Sequence, residues 1–125
     1  MTKSQGQKAL DLARAYLHHI YDTGDFVQLR LILDKDLQFE GTYFNYTSAD
    51  EYLEVFEDGD ESLVAFDYEI RHEYCDENSA CIIYDLIKPS GKNAMAQVFR
   101  AKGGKIATIL LIFDGRTFEE EVEDL

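Results

Sequence analysis

From Phe66 to Tyr74 the chain alternates without a break, Phe66, Tyr68, Ile70, His72 and Tyr74 against Asp67, Glu69, Arg71 and Glu73. A period of two is the mark of a β-strand with one covered face and one solvated face. The next segments repeat the theme. Asp76-Glu77-Asn78-Ser79 is a turn, followed by the apolar run Cys81 to Ile87. Lys88-Pro89-Ser90-Gly91-Lys92-Asn93 is a second turn before a strand from Met95 to Ala101. Gly103-Gly104 then leads into the most apolar stretch, Lys105 to Asp114. Short strands joined by short turns pair antiparallel, so the second half of the chain is confined to a meander.

The first half has the other periodicity. Ser4 and Gln7 form a capping-box signature, and Ala9, Leu12, Ala13, Tyr16, Leu17 and Ile20 make one apolar helical stripe ending near Gly24. Asp25 suits the N-cap of a short helix burying Phe26, Leu29 and Leu33. Leu37 to Gly41 reads as a strand. Ser48 and Glu51 repeat the capping box before a third helix with Tyr52, Leu53, Val55 and Phe56. Helices first and strands last predict an α+β fold, three N-terminal helices packed on one face of a curved, mainly antiparallel sheet. One domain is expected over 1–118, with an acidic, solvated tail over 119–125.

Composition narrows the function. Twelve basic against twenty-five acidic residues give a net charge of −13, which argues against nucleic acid and anionic membranes as partners. No apolar run is long enough to span a bilayer and no signal sequence is visible, so a cytoplasmic location is expected. Cys75 and Cys81 are expected as free, structurally packed thiols pointing to opposite faces of a hairpin. No phosphate loop or ligand cluster points to a cofactor or metal, and none is expected.

Asp85 stands out as a carboxylate inside an apolar run. With Glu77-Asn78 as the central turn residues, His72 pairs with Ile83, Tyr74 with Cys81 and Ile70 with Asp85, which turns Asp85 toward the helices. The next turn is expected to set Asp85 opposite Gln97. The last places Gln97 opposite Leu111, Phe99 opposite Ile109 and Met95 opposite Phe113. The result is a polar island of Asp85 and Gln97, with His72 diagonally adjacent, on an apolar concave floor. Polar groups converging on an apolar surface suit ligand binding or proton transfer, and burial without a cation would raise the Asp85 pKa.

The segments Ala13-Arg14-Ala15-Tyr16-Leu17, Thr23-Gly24-Asp25, Leu37-Gln38-Phe39-Glu40-Gly41, Met95-Ala96-Gln97-Val98-Phe99-Arg100, Gly104-Lys105-Ile106 and Ile112-Phe113-Asp114 occur in order with matching gaps. In these the chain resembles the nuclear transport factor 2-like superfamily, the cone-shaped fold of ketosteroid isomerase, SnoaL-type cyclases and limonene epoxide hydrolase. The isomerase's general-base Asp falls where this chain has Gly41, and its oxyanion-binding Asp where it has Gln97; only its helix-one Tyr has a counterpart, Tyr16. The epoxide hydrolase's Asp-Arg-Asp set is not found, so the resemblance is to the SnoaL-like group. It implies an apolar cavity for a small hydrophobic molecule, lined by Tyr16, Phe39, Tyr68, Ile83, Gln97, Phe99, Leu111 and Phe113. Asp85 and His72 are then the candidate catalytic residues for isomerase-, cyclase- or hydrolase-like chemistry. The alternative is a non-catalytic association domain. Ala96, Val98, Ala107, Leu110 and Ile112 are apolar on the outward face of the last strands, which predicts a homodimer.

Overall fold

A computed structural model describes residues 5–42, 44–57, 67–76, 78–89 and 91–113. The expected 119–125 tail, the domain boundary at 118, Ser4 of the first capping box and Phe66 lie outside these. Helix α1 spans Gln5–Leu17 and continues as a π-helical turn, His18–Thr23, closed by Gly24 at φ 62°. That left-handed conformation favours glycine, as does a helix C-terminus. Helix α2 spans Phe26–Ile32, with Asp25 Oδ1 accepting from the Gln28 amide at 3.1 Å. Helix α3 spans Ala49–Glu57, and Ser48 Oγ accepts from the Glu51 amide at 3.0 Å. Both expected caps are made. Leu33, assigned from its spacing to the second helix, instead starts a strand and is still buried.

The strands are β1 (Leu33–Glu40), β2 (Asn45–Tyr46), β3 (Asp67–Cys75), β4 (Ser79–Lys88), β5 (Gly91–Lys102) and β6 (Lys105–Phe113). They form one sheet in the order β2-β1-β6-β5-β4-β3, antiparallel throughout except between β1 and β6. This is the expected α+β architecture. The core lies between the helices and the concave sheet face, where Leu17, Leu29, Leu37, Ile82, Tyr84, Phe99, Ile106 and Ile109 are fully buried.

Two registers differ from those read off the sequence, and both bear on function. In β3 a bulge between Ile70 and His72 inserts one residue. His72 still pairs with Ile83 and Tyr74 with Cys81, but Ile70 pairs with Tyr84 instead of Asp85. A single inserted residue exchanges the faces. Tyr68 and Ile70 follow Leu86 and Tyr84 toward the helices, whereas His72 and Tyr74 turn to the convex side. At β4–β5 Lys88 pairs with Gly91, so the two strands are joined more tightly than expected. The expected turn was longer and the pairing is displaced by three positions, an odd number. Gln97 therefore pairs with Ile82 and Asp85 with Ala94. The β5–β6 register is as expected, with Gln97 opposite Leu111, Phe99 opposite Ile109 and Met95 opposite Phe113.

Candidate functional site

The shifted register removes Asp85 from the concave face. Tyr84 and Leu86, its neighbours in β4, are buried there, so Asp85 points to the convex side. Its side chain keeps 16% of its surface exposed and lies 3.6 Å from Arg71 Nη1. Asp85 has a cation beside it, which the sequence reading excluded by assigning Arg71 to the charged face and Asp85 to the other. Ile83 goes with Asp85 for the same reason of alternation. His72 is exposed and stacks on Tyr74 with ring centroids 6.0 Å apart. Neither Asp85 nor His72 reaches Gln97.

Gln97 does face the helices, 2% exposed, with Tyr16, Phe39, Phe99, Leu111, Phe113 and Tyr68 on the same side of the sheet. Its partners are tyrosines. The Tyr84 hydroxyl donates to Gln97 Oε1 at 2.8 Å. Having spent its proton there, Tyr84 accepts from Tyr21, whose hydroxyl is 3.0 Å away. On the other side the Gln97 amide donates to the Tyr16 hydroxyl, which is also bonded to the Tyr52 hydroxyl. The chain Tyr21–Tyr84–Gln97–Tyr16–Tyr52 thus ties α1, the π-helical turn, α3, β4 and β5 together under the helices. Burial pushes the pKa of each of these four phenols up, foremost through loss of water around the phenolate. They are neutral hydrogen-bond donors at any physiological pH.

A second group extends the chain outward. Tyr21 packs against Tyr68 at 5.4 Å between ring centroids, and Tyr68 donates to Asp22 Oδ2 at 2.9 Å. His18 Nδ1 meets the same oxygen at 2.9 Å. Burial and the Asp22 carboxylate together push the Tyr68 pKa up to about 12. The π-helical turn makes this possible, since its extra residue per turn swings Ile20 and Tyr21 onto the core while Asp22 and His18 stay at the surface.

Gly41, where the resemblance would set the isomerase's base, leaves little room for a side chain. A Cβ would lie 3.0 Å from Phe39 Cε1 and 3.1 Å from the Phe44 carbonyl oxygen, to which the Gly41 amide donates at 2.8 Å. On the convex side a shallow groove of about 440 Å³ runs between β2 and β5, lined by Glu40, Tyr46, Val98, Arg100, Thr108 and Leu110 among others. Both thiols are free. Cys81 is partly buried on the convex face, but Cys75 is exposed near the β3 end and is not packed as expected. Among the described residues no helix is long and apolar enough to cross a membrane.

No protein-family model matches the chain. No curated protein matches it either. Solved structures do. An NTF2-like protein of unknown function from Cytophaga hutchinsonii is 21% identical, with 87% of this chain and 92% of that one aligned at a TM-score of 0.73. An LEH-like epoxide hydrolase from M. tuberculosis is 17% identical over 93% of this chain and 90% of its own, also at 0.73. A de novo designed protein with a curved β-sheet is 16% identical over 99% and 96%, at 0.75. An unassigned protein, an enzyme and a design all share this architecture, so the likeness speaks for shape and not for chemistry. By that shape the chain has the nuclear transport factor 2-like fold.

Proposed function

We propose that the protein binds a small, largely apolar molecule on the concave side of its sheet, with the Gln97–tyrosine chain holding the ligand's hydroxyl or carbonyl. The observation that carries this reading is a contrast along β6. Leu111 and Phe113 lie on the concave face opposite Gln97 and Met95, yet they are only partly buried, whereas Gln97 and Met95 are buried. Apolar surface is thereby left beside a fully desolvated set of neutral donors, the composition of a small-molecule site. The solved structures of this fold include an LEH-like epoxide hydrolase, so small-molecule chemistry occurs on a protein of this shape. With Asp85 on the other face, the carboxylate expected to move a proton is missing from the site, so the activity proposed is binding rather than turnover. Titration of para-hydroxybiphenyl, followed by calorimetry, tests it. Saturable binding is expected, weakened about fivefold or more by Tyr16→Phe or Gln97→Leu and untouched by Asp85→Asn. Absence of saturable binding by para-hydroxybiphenyl and by apolar cyclic ketones overturns it.

A second reading is favoured by the convex face. Ile83, Ala96, Val98 and Leu110 form an apolar surface there, and Ile112 beside them is 56% exposed. Pairing of two copies through this face would cover it, and it is compatible with ligand binding on the opposite side.

A further inference from the structure

The concave face carries a second polar position, four residues along β5 from Gln97. Asn93 pairs with Leu86, faces the helices and is only 4% exposed. Its Oδ1 is fully buried, and no group among the described residues donates a hydrogen bond to it. A buried carbonyl oxygen without a donor costs roughly 1–3 kcal/mol, and native folds keep few of them. Lys88, also buried, lies diagonally across the same hairpin on the same face. Its charge disfavours a cationic donor at Asn93, which leaves neutral O–H or N–H groups. Between Asn93 and Gln97 the floor is apolar, made by Met95 with Phe113 and Leu111 alongside. Four strand residues place the two polar positions about 13 Å apart at their backbones.

We infer that the ligand is elongated and apolar in its middle, with a polar group at each end: an acceptor or hydroxyl at Gln97 and a neutral donor, such as a hydroxyl, at Asn93. This rests on the concave-side reading above and adds to it the ligand's length and its second functional group. The competing occupant of Asn93 is a water molecule, which would make the position indifferent to the ligand.

The test compares para,para′-dihydroxybiphenyl with para-hydroxybiphenyl, rigid molecules that differ by one terminal hydroxyl. The wild type is expected to bind the diol about tenfold more tightly. Asn93→Leu is expected to erase that preference while keeping para-hydroxybiphenyl binding, and to raise the unfolding midpoint of the free protein by a few degrees. Asn93→Ala serves the same comparison if the leucine variant does not fold. Equal binding of the two compounds by the wild type, or an unchanged preference in the variants, overturns the inference alone. So does a lowered midpoint in free Asn93→Leu, which would mean that Asn93 is already satisfied. Failure of the wild type to bind either compound overturns this inference, and if apolar cyclic ketones fail to bind as well the concave-side reading falls with it.

Discussion

At the scale of single residues, Tyr84 and Asp85 are neighbours in β4 with opposite fates. Tyr84 is fully buried, donates to Gln97 and accepts from Tyr21. Tyr84→Phe leaves the Gln97 oxygen and the Tyr21 proton without that partner and should destabilise by about 1–3 kcal/mol in denaturant melts. Asp85 sits beside Arg71, whose side chain is 52% exposed, so solvent and salt screen the pair. Asp85→Asn should change stability by less than about 1 kcal/mol in the same melts. The sequence reading turns Gln97 inward through its pairing with Asp85, and Gln97 keeps that face only because the odd displacements at β3–β4 and at β4–β5 cancel. The sequence did not make Tyr16 and Tyr84 legible as its partners. A tyrosine in an apolar stripe looks like core, and only the correct β4–β5 pairing brings the Tyr84 hydroxyl to the Gln97 amide. Their ionisation is testable. Tyr16, Tyr21, Tyr52 and Tyr84 have folded pKa values raised above the ordinary 10.0. Their burial therefore favours folding fully below pH 10, and that contribution is lost as pH rises beyond it, when only the unfolded chain can ionise. An ultraviolet titration should show the buried four ionising together with the loss of circular dichroism.

At the scale of elements, the β3 bulge does most to separate the structure from its sequence pattern. The unbroken alternation of Phe66 to Tyr74 predicts one apolar and one charged face for the whole strand, but the inserted residue at Arg71 divides it in two. Nothing in a period of two marks a bulge, since each half keeps its alternation. Its consequence is visible only in three dimensions. The face exchange brings Glu73 to α1, where Arg14 holds it by two bonds, Nε to Oε2 at 2.6 Å and Nη2 to Oε1 at 3.0 Å. Arg14 holds the Glu73 carboxyl below its ordinary value of 4.5. A depressed folded pKa stabilises above the unfolded value and is lost as pH falls through the folded one. Stability should therefore decline below about pH 4.5. Glu73→Gln should flatten part of that decline, while costing less than about 1 kcal/mol at neutral pH because Arg14 is 46% exposed. The helices were easier to read. Asp25, Ser48 and Gly24 act locally, and local signals need no partner strand to be correct. The β4–β5 register was the costliest misreading, since an odd displacement there reversed every residue of β4 relative to β5.

At the scale of the whole molecule, the two proposals fall on opposite faces of the sheet, ligand binding on the concave one and association on the convex one. If the convex face joins two copies, Leu110→Glu should dissociate them, because a carboxylate is costly to desolvate in an apolar interface. Sedimentation velocity should then show a dimer for the wild type and a monomer for the variant; a wild-type monomer at micromolar concentration would discard the association. The overall architecture was legible because it depends on the order and period of segments, which tolerate small register errors, whereas the site depends on parity, which does not. The parallel pairing of β1 with β6 has a further consequence, for how the chain reaches this shape. Leu33 and Gln38 to Glu40 find their β6 neighbours, Ile106 and Thr108 to Leu110, some seventy positions later in the chain. During synthesis β1 must wait, one edge unpaired, until the final hairpin emerges and closes the sheet. Such long-range closure slows folding toward the millisecond-to-second range and makes the late hairpin the step on which the rest depends. Weakening the Gly103-Gly104 turn should therefore slow refolding in stopped-flow experiments more than it speeds unfolding.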